Sequence, residues 1–146
     1  MRVRQRVPSD NHTSVCSHGP ASVTPASSSP SPRNDHALVY DAARGRTVLF
    51  GGNDSTGGVL GDTWEWDGTN WTALSPTIAP PARQNGAMAY DSVRSRVVLF
   101  GGLGAAGTLA DTWEWDGTDW TQVATTTAPT ARFRHAMAFD QARSRV

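Results

Sequence analysis

The feature that most constrains this chain is an internal repeat with a period of about 50 residues. Phe50-Gly51-Gly52 returns 50 residues later at 100–102, and the run Trp64-Glu65-Trp66-Asp67-Gly68-Thr69 returns 49 residues later at 113–118. A fixed period of this size is typical of proteins in which each repeat is one small unit that buries its apolar face against the next. The repeat predicts two full units, 30–79 and 80–128, and the start of a truncated third at 129–146.

The pattern inside one unit predicts four short strands and no helix. Residues 36–40 and 47–50 are short apolar runs bounded by turn residues, and residues 63–66 alternate, with both Trp on one face. Asp67-Gly68 is typical of a tight hairpin, and residues 70–74 complete the set. Three successive hairpins predict a four-stranded antiparallel meander.

Large apolar groups on both faces of this sheet predict that each sheet is covered on both sides by copies of itself. Radial stacking around an axis, as in a β-propeller, satisfies that requirement and leaves only short edges exposed. The first strand of each unit is rich in small residues such as Ala37 and Ala87, which suits the crowded position next to the axis. The Trp residues of the third and fourth strands suit the wider space further out.

The glycine pair after an apolar strand, the later Trp and the Pro-x-x-Arg junction together resemble the kelch repeat. The resemblance covers Pro30 to Val146 and implies an all-β, propeller-type fold, usually of roughly six or seven blades. It also implies structural roles for Gly51, Gly52, Gly101, Gly102, Trp71 and Trp120. Kelch proteins mostly bind other proteins, and some kelch propellers lie within carbohydrate-active or oxidase enzymes.

Two units are fewer than a closed propeller needs. We therefore interpret the chain as a fragment of a longer propeller, a truncated product, or a subunit that closes the ring by self-association. A pair of blades is expected to expose several Trp on its end faces, and each buried aromatic ring hides roughly 150–250 Å² of surface. This predicts association or poor solubility for a solitary copy.

Composition excludes several function classes. The formal net charge is zero, which argues against a nucleic-acid or anionic-membrane partner. No apolar run is long enough to span a bilayer, and no apolar run follows the basic start as in a signal peptide, so the compartment stays unknown. The single cysteine, Cys16, excludes a disulfide framework and lies in a Ser/Pro-rich segment, 1–29, that is predicted to be disordered.

No catalytic, cofactor or metal site is predicted. His36 and His135 occupy equivalent positions one blade apart without a carboxylate at ligand spacing, so a structural or channel-lining role is favoured. The acidic residues Glu65, Glu114, Asp67, Asp116 and Asp119 repeat with the fold, which argues against a catalytic pair. The residues expected to build the structural motif are Gly51, Gly52, Trp64, Trp66, Trp71, Gly101, Gly102, Trp113, Trp115, Trp120, Arg33, Arg83 and Arg132.

The three arginines of that set are expected to bridge neighbouring blades through carbonyls or through a carboxylate such as Asp35 or Asp62. The segments 53–60 and 103–110 differ between the units and are predicted to be long loops, where binding is often located. The candidate ligand positions in them are Asn53, Asp54, Ser55, Thr56, Leu103 and Thr108.

The sequence therefore predicts a non-catalytic kelch-like scaffold that binds a protein partner and self-associates. The alternatives are part of the propeller of a secreted carbohydrate-active enzyme or oxidase, and a truncated product without independent function.

Overall fold

A computed structural model describes residues 29–146. The described part contains nine strands and no helix, so it also holds no helix that could cross a membrane. The tail predicted to be disordered, 1–29, lies outside the described residues except for Ser29. The strands are β1 (Arg33–Asn34), β2 (Ala37–Asp41), β3 (Arg46–Asp54), β4 (Val59–Trp66), β5 (Trp71–Leu74), β6 (Ala87–Asp91), β7 (Arg96–Gly104), β8 (Gly107–Trp115) and β9 (Trp120–Val123).

The strands form two antiparallel sheets, which we call blade 1 (β1–β5) and blade 2 (β6–β9). Each is a meander in which consecutive strands pair, β2-β3-β4-β5 and β6-β7-β8-β9. The predicted all-β fold of four-stranded antiparallel units is confirmed. In blade 1 the short β1 also pairs with the far end of β3, where Arg33 lies opposite Asp54, and the single bridge between Gln84 and Leu103 is its counterpart in blade 2.

The glycine pair is required by the backbone at the centre of each second strand. Gly51 and Gly52 have φ values of 65° and 104°, and the pairing of β3 with β4 shifts between Phe50 and Gly52. A Cβ on Gly51 would lie 2.4 Å from the carbonyl oxygen of Arg83, which belongs to the segment entering blade 2. The pair thus forms a bulge that lets the chain of the next blade approach closely.

The Asp-Gly turns close the outer hairpins as predicted. The Oδ1 of Asp67 accepts hydrogen bonds from the backbone N–H groups of Thr69 and Asn70, both at 2.7 Å, while Gly68 takes a φ of 98°. Asp116 caps the equivalent turn of blade 2 in the same way. These short polar loops hold the outer two strands of each blade in register.

The core lies between the two blades. Val48 and Phe50 of blade 1 pack against Trp115 and Trp120 of blade 2, and all four are at most 1% exposed. The close backbone approaches between the blades involve β2 against β6 and β7, so the sheets meet at their first strands. The bulky Trp side chains fill the wider space further out, as the residue sizes predict.

The start of the third unit, 129–146, forms no strand like those of blades 1 and 2. Residues 136–139 have no strand pairing, and only a bridge between Asp140 and Arg145 closes a turn. The equivalent residues of blade 1, Asp41 and Arg46, are paired in the same way and continue into β3. In blades 1 and 2 that second strand is hydrogen-bonded on both sides.

Candidate binding surface

An arginine at the junction between units ties the two blades together. The backbone of Arg83 bonds to blade 1: its N–H donates to the Leu60 carbonyl (3.0 Å), and its carbonyl accepts from Gly52 (2.9 Å). Its side chain bonds to blade 2: the two terminal nitrogens reach the carboxylate of Asp111 at 2.6 and 2.8 Å, and one also reaches the Gly101 carbonyl. The guanidinium is buried, and a forked pair of this kind fixes orientation as well as charge.

The other two junction arginines share only part of this arrangement. Arg33 holds the Asp62 carboxylate with bonds of 2.6 and 2.9 Å and the Gly51 carbonyl with a third. The backbone of Arg132 bonds to Gly102 and Leu109 of blade 2, but within residues 29–146 its side chain bonds only to Thr130, two residues earlier. The Arg33–Asp62 pair lies within blade 1, so it does not bridge neighbouring blades as expected, and Asp35 is not part of this pairing.

Burial and hydrogen bonding act in opposite directions on the carboxylates that these arginines hold. Burial by itself raises the pKa of Asp62 and of Asp111. The hydrogen bonds from Arg33 and Arg83, and from the indole N–H of Trp64 and Trp113, outweigh that effect and leave each pKa below its ordinary value. The side chains of Asp62 and Asp111 are therefore both ionised near neutral pH.

Each of the three junction arginines is followed directly by a turn. We call these turns, residues 34–36, 84–86 and 133–135, the mouth turns. The central residues, Asp35, Asn85 and Arg134, have nearly equal positive φ values of 55°, 56° and 56°. The N–H of Asn85 donates to the Asp35 carbonyl (2.8 Å), and the N–H of Arg134 donates to the Asn85 carbonyl (3.0 Å). The three turns therefore lie side by side, one from each unit, with a fixed backbone.

The side chains on the mouth turns differ from unit to unit, although the backbone repeats. The central position is acidic in Asp35, an amide in Asn85 and basic in Arg134. Asp35, His36 and Arg134 are exposed, and the Arg134 guanidinium lies 5.8 Å from the ring centre of Phe133. A rigid backbone that presents different polar groups in a row is suited to recognising a partner.

The expectation of long loops at 53–60 and 103–110 is wrong. Asn53 and Asp54 are the last residues of β3, Leu103 lies in β7 and Thr108 in β8, so these hairpins are short. Ser55 and Thr56 are in the turn, where the Asp54 carboxylate accepts hydrogen bonds from Thr56 and Gly58. The hairpin arms continue the sheet through cross-strand pairs such as Asn53 with Val59 and Leu103 with Thr108, which the glycines in these segments obscured.

The first of these hairpins lies beside the mouth turns. A cleft of about 280 Å³ separates it from the arginine segment of blade 1, and its walls are Pro32, Arg33, Asn34, Asn53, Asp54 and Ser55. Four of the predicted ligand positions, Asn53 to Thr56, thus lie at the mouth end of blade 1. The other two, Leu103 and Thr108, are a cross-strand pair in blade 2.

The acidic residues that repeat with the fold have bonding partners in it. Asp67 and Asp116 cap turns, Glu65 lies 3.4 Å from the indole nitrogen of Trp115, and Glu114 pairs with Arg94 at 2.6 Å. Among residues 29–146 no group of three His, Cys, Asp or Glu side chains is arranged to hold a metal ion.

The two equivalent histidines lie in different surroundings. His36 is exposed, whereas His135 packs edge-on against Phe100 with ring centres 5.5 Å apart. Burial, together with the charge of Arg132, lowers the pKa of His135.

The six tryptophans that were predicted to build the structural motif fall into two groups that differ in burial. Trp113, Trp115 and Trp120 are buried between the blades. Trp64, Trp66 and Trp71 lie half-buried on the face of blade 1 that points away from blade 2. The indole N–H of Trp120 donates to the Thr63 hydroxyl at 3.0 Å, a buried bond between blades that the sequence did not reveal.

Two further inter-blade contacts were missed from the sequence. Arg44 donates to the backbone carbonyls of Ser95 and Asp116 in blade 2, in addition to its pair with Asp41. The Tyr90 hydroxyl accepts the Ala43 N–H at 3.0 Å, so this tyrosine does more than pack. Both belong to repeated positions, and repetition was the one signal that could have indicated an inter-blade role.

Comparison with sequence families gives a match to the KLHDC2/KLHL20/DRC7 Kelch-repeats domain over residues 8–144. The chain belongs to the kelch-repeat family. The glycine bulges, the Trp pairs and the arginine junctions described above are this kelch chain's repeated framework. A search of curated proteins found no match.

Proposed function

We propose that this kelch chain is a non-catalytic binding scaffold. Its partner binds at the end of the blades that carries the three mouth turns. The observation that carries the proposal is the row of mouth turns, in which one backbone geometry, fixed by hydrogen bonds between units, presents Asp35, Asn85 and Arg134 in succession. The repeated residues build the frame, and the unrepeated ones are free to set specificity.

The chemistry of the surface favours a polar peptide or protein partner. The row runs from a carboxylate at Asp35 to a guanidinium at Arg134, so it complements a segment that carries both charges rather than a polyanion. The adjoining cleft beside Asn53 to Thr56 offers further hydroxyl and amide groups. Self-association, which the sequence also predicts, concerns other surfaces, namely the outer faces of the two blades.

The proposal is tested by selecting peptides from a random display library against the 146-residue chain and measuring their affinity by calorimetry. Replacing Asp35 and Arg134 by Ala is expected to weaken the binding of a selected peptide by about tenfold or more, because a few central residues, arginine often among them, carry most of the binding energy of an interface. Thr118→Ala, at an exposed turn on the opposite end, is the matched control. Undiminished binding to the mouth variants, or an equal loss in Thr118→Ala, would contradict the proposal.

A further inference from the structure

Asp35 differs from the other acidic residues in the described part of the chain. Every other aspartate and glutamate in residues 29–146 accepts a hydrogen bond at its carboxylate. Asp35 is exposed, and its carboxylate has no hydrogen-bond or ion-pair partner among those residues. The repeated framework thus uses its other carboxylates internally and leaves this one available to a partner.

The other two central side chains of the mouth turns are also unpaired within residues 29–146. The amide of Asn85 is half-buried and makes no hydrogen bond there, although it carries both donors and an acceptor. The guanidinium of Arg134 has no carboxylate in reach and lies 5.8 Å from the ring centre of Phe133. Contact with a ring takes up one face of a guanidinium and leaves its N–H edges free for a carboxylate.

These free groups belong to the central position of the turn and do not depend on an end of the chain. Asn85 has a mouth turn bonded on each side, because its N–H donates to the Asp35 carbonyl and its carbonyl accepts from Arg134. Its amide is unpaired although both neighbours are in place. We call Asp35, Asn85 and Arg134 the mouth row.

The backbone bonds within the mouth row set the distance between its two charges. Two chains joined by N–H···O bonds of this kind lie about 5 Å apart, as neighbouring strands do. Two such steps separate Asp35 from Arg134, so their backbones lie about 10 Å apart. A ligand that meets both charges needs two opposite charges on one face at that spacing.

One regular peptide conformation meets this requirement with both charges on the same face. In an extended strand, residues on one face lie roughly 7 or 13 Å apart, which is too near or too far. In a polyproline II segment every third residue returns to the same face, after a rise of about 9 Å. The spacing of the mouth row therefore favours polyproline II over a strand.

The amide of Asn85 favours the same conformation. A polyproline II segment makes no internal hydrogen bonds, so its backbone groups are free to bond to a partner. Asn85 lies between the two charges, where its side chain can bond to a peptide group of the ligand with its donors and its acceptor. In a helical ligand the backbone groups at that point are already paired.

We propose that the mouth row binds a polyproline II segment in which a basic and an acidic residue stand three positions apart. The basic residue pairs with Asp35, the acidic residue pairs with Arg134, and Asn85 bonds to the backbone between them. This inference rests on the proposed function, because it names the class of peptide that the mouth turns take.

Three proline-rich peptides of equal length test the spacing on the full chain. The matched peptide carries Arg-Pro-Pro-Asp at its centre, the short-spaced peptide carries Arg-Pro-Asp, and the acidic peptide carries Asp-Pro-Pro-Asp. Calorimetry is expected to show that wild type binds the matched peptide about tenfold more tightly than either of the others.

Two variants test the residues of the mouth row. Asp35→Arg is expected to prefer the acidic peptide over the matched one by about tenfold, because two guanidinium groups then face the ligand. The same turn already holds Arg134 at a φ of 56°, so its backbone accepts arginine. Asn85→Gly, which keeps the positive φ without strain, is expected to weaken the matched peptide by about fivefold and to leave the preference unchanged. Circular dichroism verifies folding, and Thr118→Ala is the control.

The outcomes separate this inference from the proposed function. Failure of wild type to bind the matched peptide, equal binding of the matched and short-spaced peptides, or an Asp35→Arg chain that still prefers the matched peptide would each overturn the inference. The proposed function survives those results if library-selected peptides still lose affinity when Asp35 and Arg134 are replaced by Ala. If the selected peptides bind these Ala variants as tightly as wild type, both proposals are wrong.

Discussion

Blades 1 and 2 have the same strand order and nearly the same register, yet their equivalent residues are buried to very different degrees. Leu38 is 51% exposed, whereas Met88 at the same position is 8% exposed. Trp66 and Trp71 are half-buried, whereas Trp115 and Trp120 are fully buried. The comparison teaches that the repeat specifies the sheet, and that a neighbouring sheet decides what each face contributes to stability.

The largest effect is expected at the outermost Trp of each blade. Trp120→Ala should lower the free energy of unfolding by about 3–5 kcal/mol, because it empties a filled core site and leaves the Thr63 hydroxyl without its donor. Trp71→Ala, at the equivalent half-buried position, should cost about 1–2 kcal/mol. Urea unfolding of both variants, at a concentration where the chain is monomeric, measures the difference. Equal losses would mean that the neighbouring blade contributes little.

The junction arginines extend the comparison to the third unit. Arg83→Ala should destabilise the chain by about 3 kcal/mol, because it leaves the carboxylate of Asp111 without the guanidinium that holds it. Arg132→Ala removes an exposed side chain that has no carboxylate partner in the described residues, and should change stability by less than about 0.5 kcal/mol. Urea unfolding midpoints test this pair, and a large loss in Arg132→Ala would refute the distinction.

The glycine bulges should show no difference between the blades, because each faces the backbone of the following unit. A Cβ on Gly51 would lie 2.4 Å from the Arg83 carbonyl oxygen, and one on Gly101 would lie 2.6 Å from that of Arg132. Either Gly→Ala change should cost about 2–3 kcal/mol. Gly68→Ala, with positive φ but open space around it, is the control at about 1 kcal/mol. Thermal unfolding measures the three variants. A loss of stability in Gly68→Ala as large as in Gly51→Ala and Gly101→Ala would contradict the steric argument.

The smallest effect concerns acid stability. The pKa of Asp62 and that of Asp111 lie below their ordinary values in the folded chain, so each charged carboxylate stabilises the fold. That contribution is present above the unfolded pKa and is lost as pH falls through the folded pKa. Wild type should lose free energy of unfolding as the pH falls below about 4. In Asp111→Asn that loss should be smaller by on the order of 1 kcal/mol, because the variant has no carboxylate to protonate at this position. Asp62→Asn should reduce the loss less, since the Asp62 side chain is 39% exposed and screened by solvent. Unfolding curves measured across that pH range decide between them.

The sequence predicted the frame well because the frame depends on local chemistry that repeats. The Gly51-Gly52 bulge and the Asp67-Gly68 turn are short-range backbone requirements, and alternation in residues 63–66 reveals which side chains share a face. The hairpin arms at 53–60 and 103–110 were missed because their glycines suggest loops, while their cross-strand hydrogen bonds depend on the partner strand. The mouth turns were missed because their common feature is a positive φ at Asp35, Asn85 and Arg134, three different residues.

What the sequence alone determined is therefore the repeat, the order of strands and the family. Only the tertiary structure decided which face of each blade is covered, that Arg83 bonds to one blade with its backbone and to the other with its side chain, and that Trp120 finds its acceptor in Thr63. The reason is physical: strand and turn preferences act between residues near in sequence, whereas burial and inter-blade hydrogen bonds depend on which surfaces meet in space.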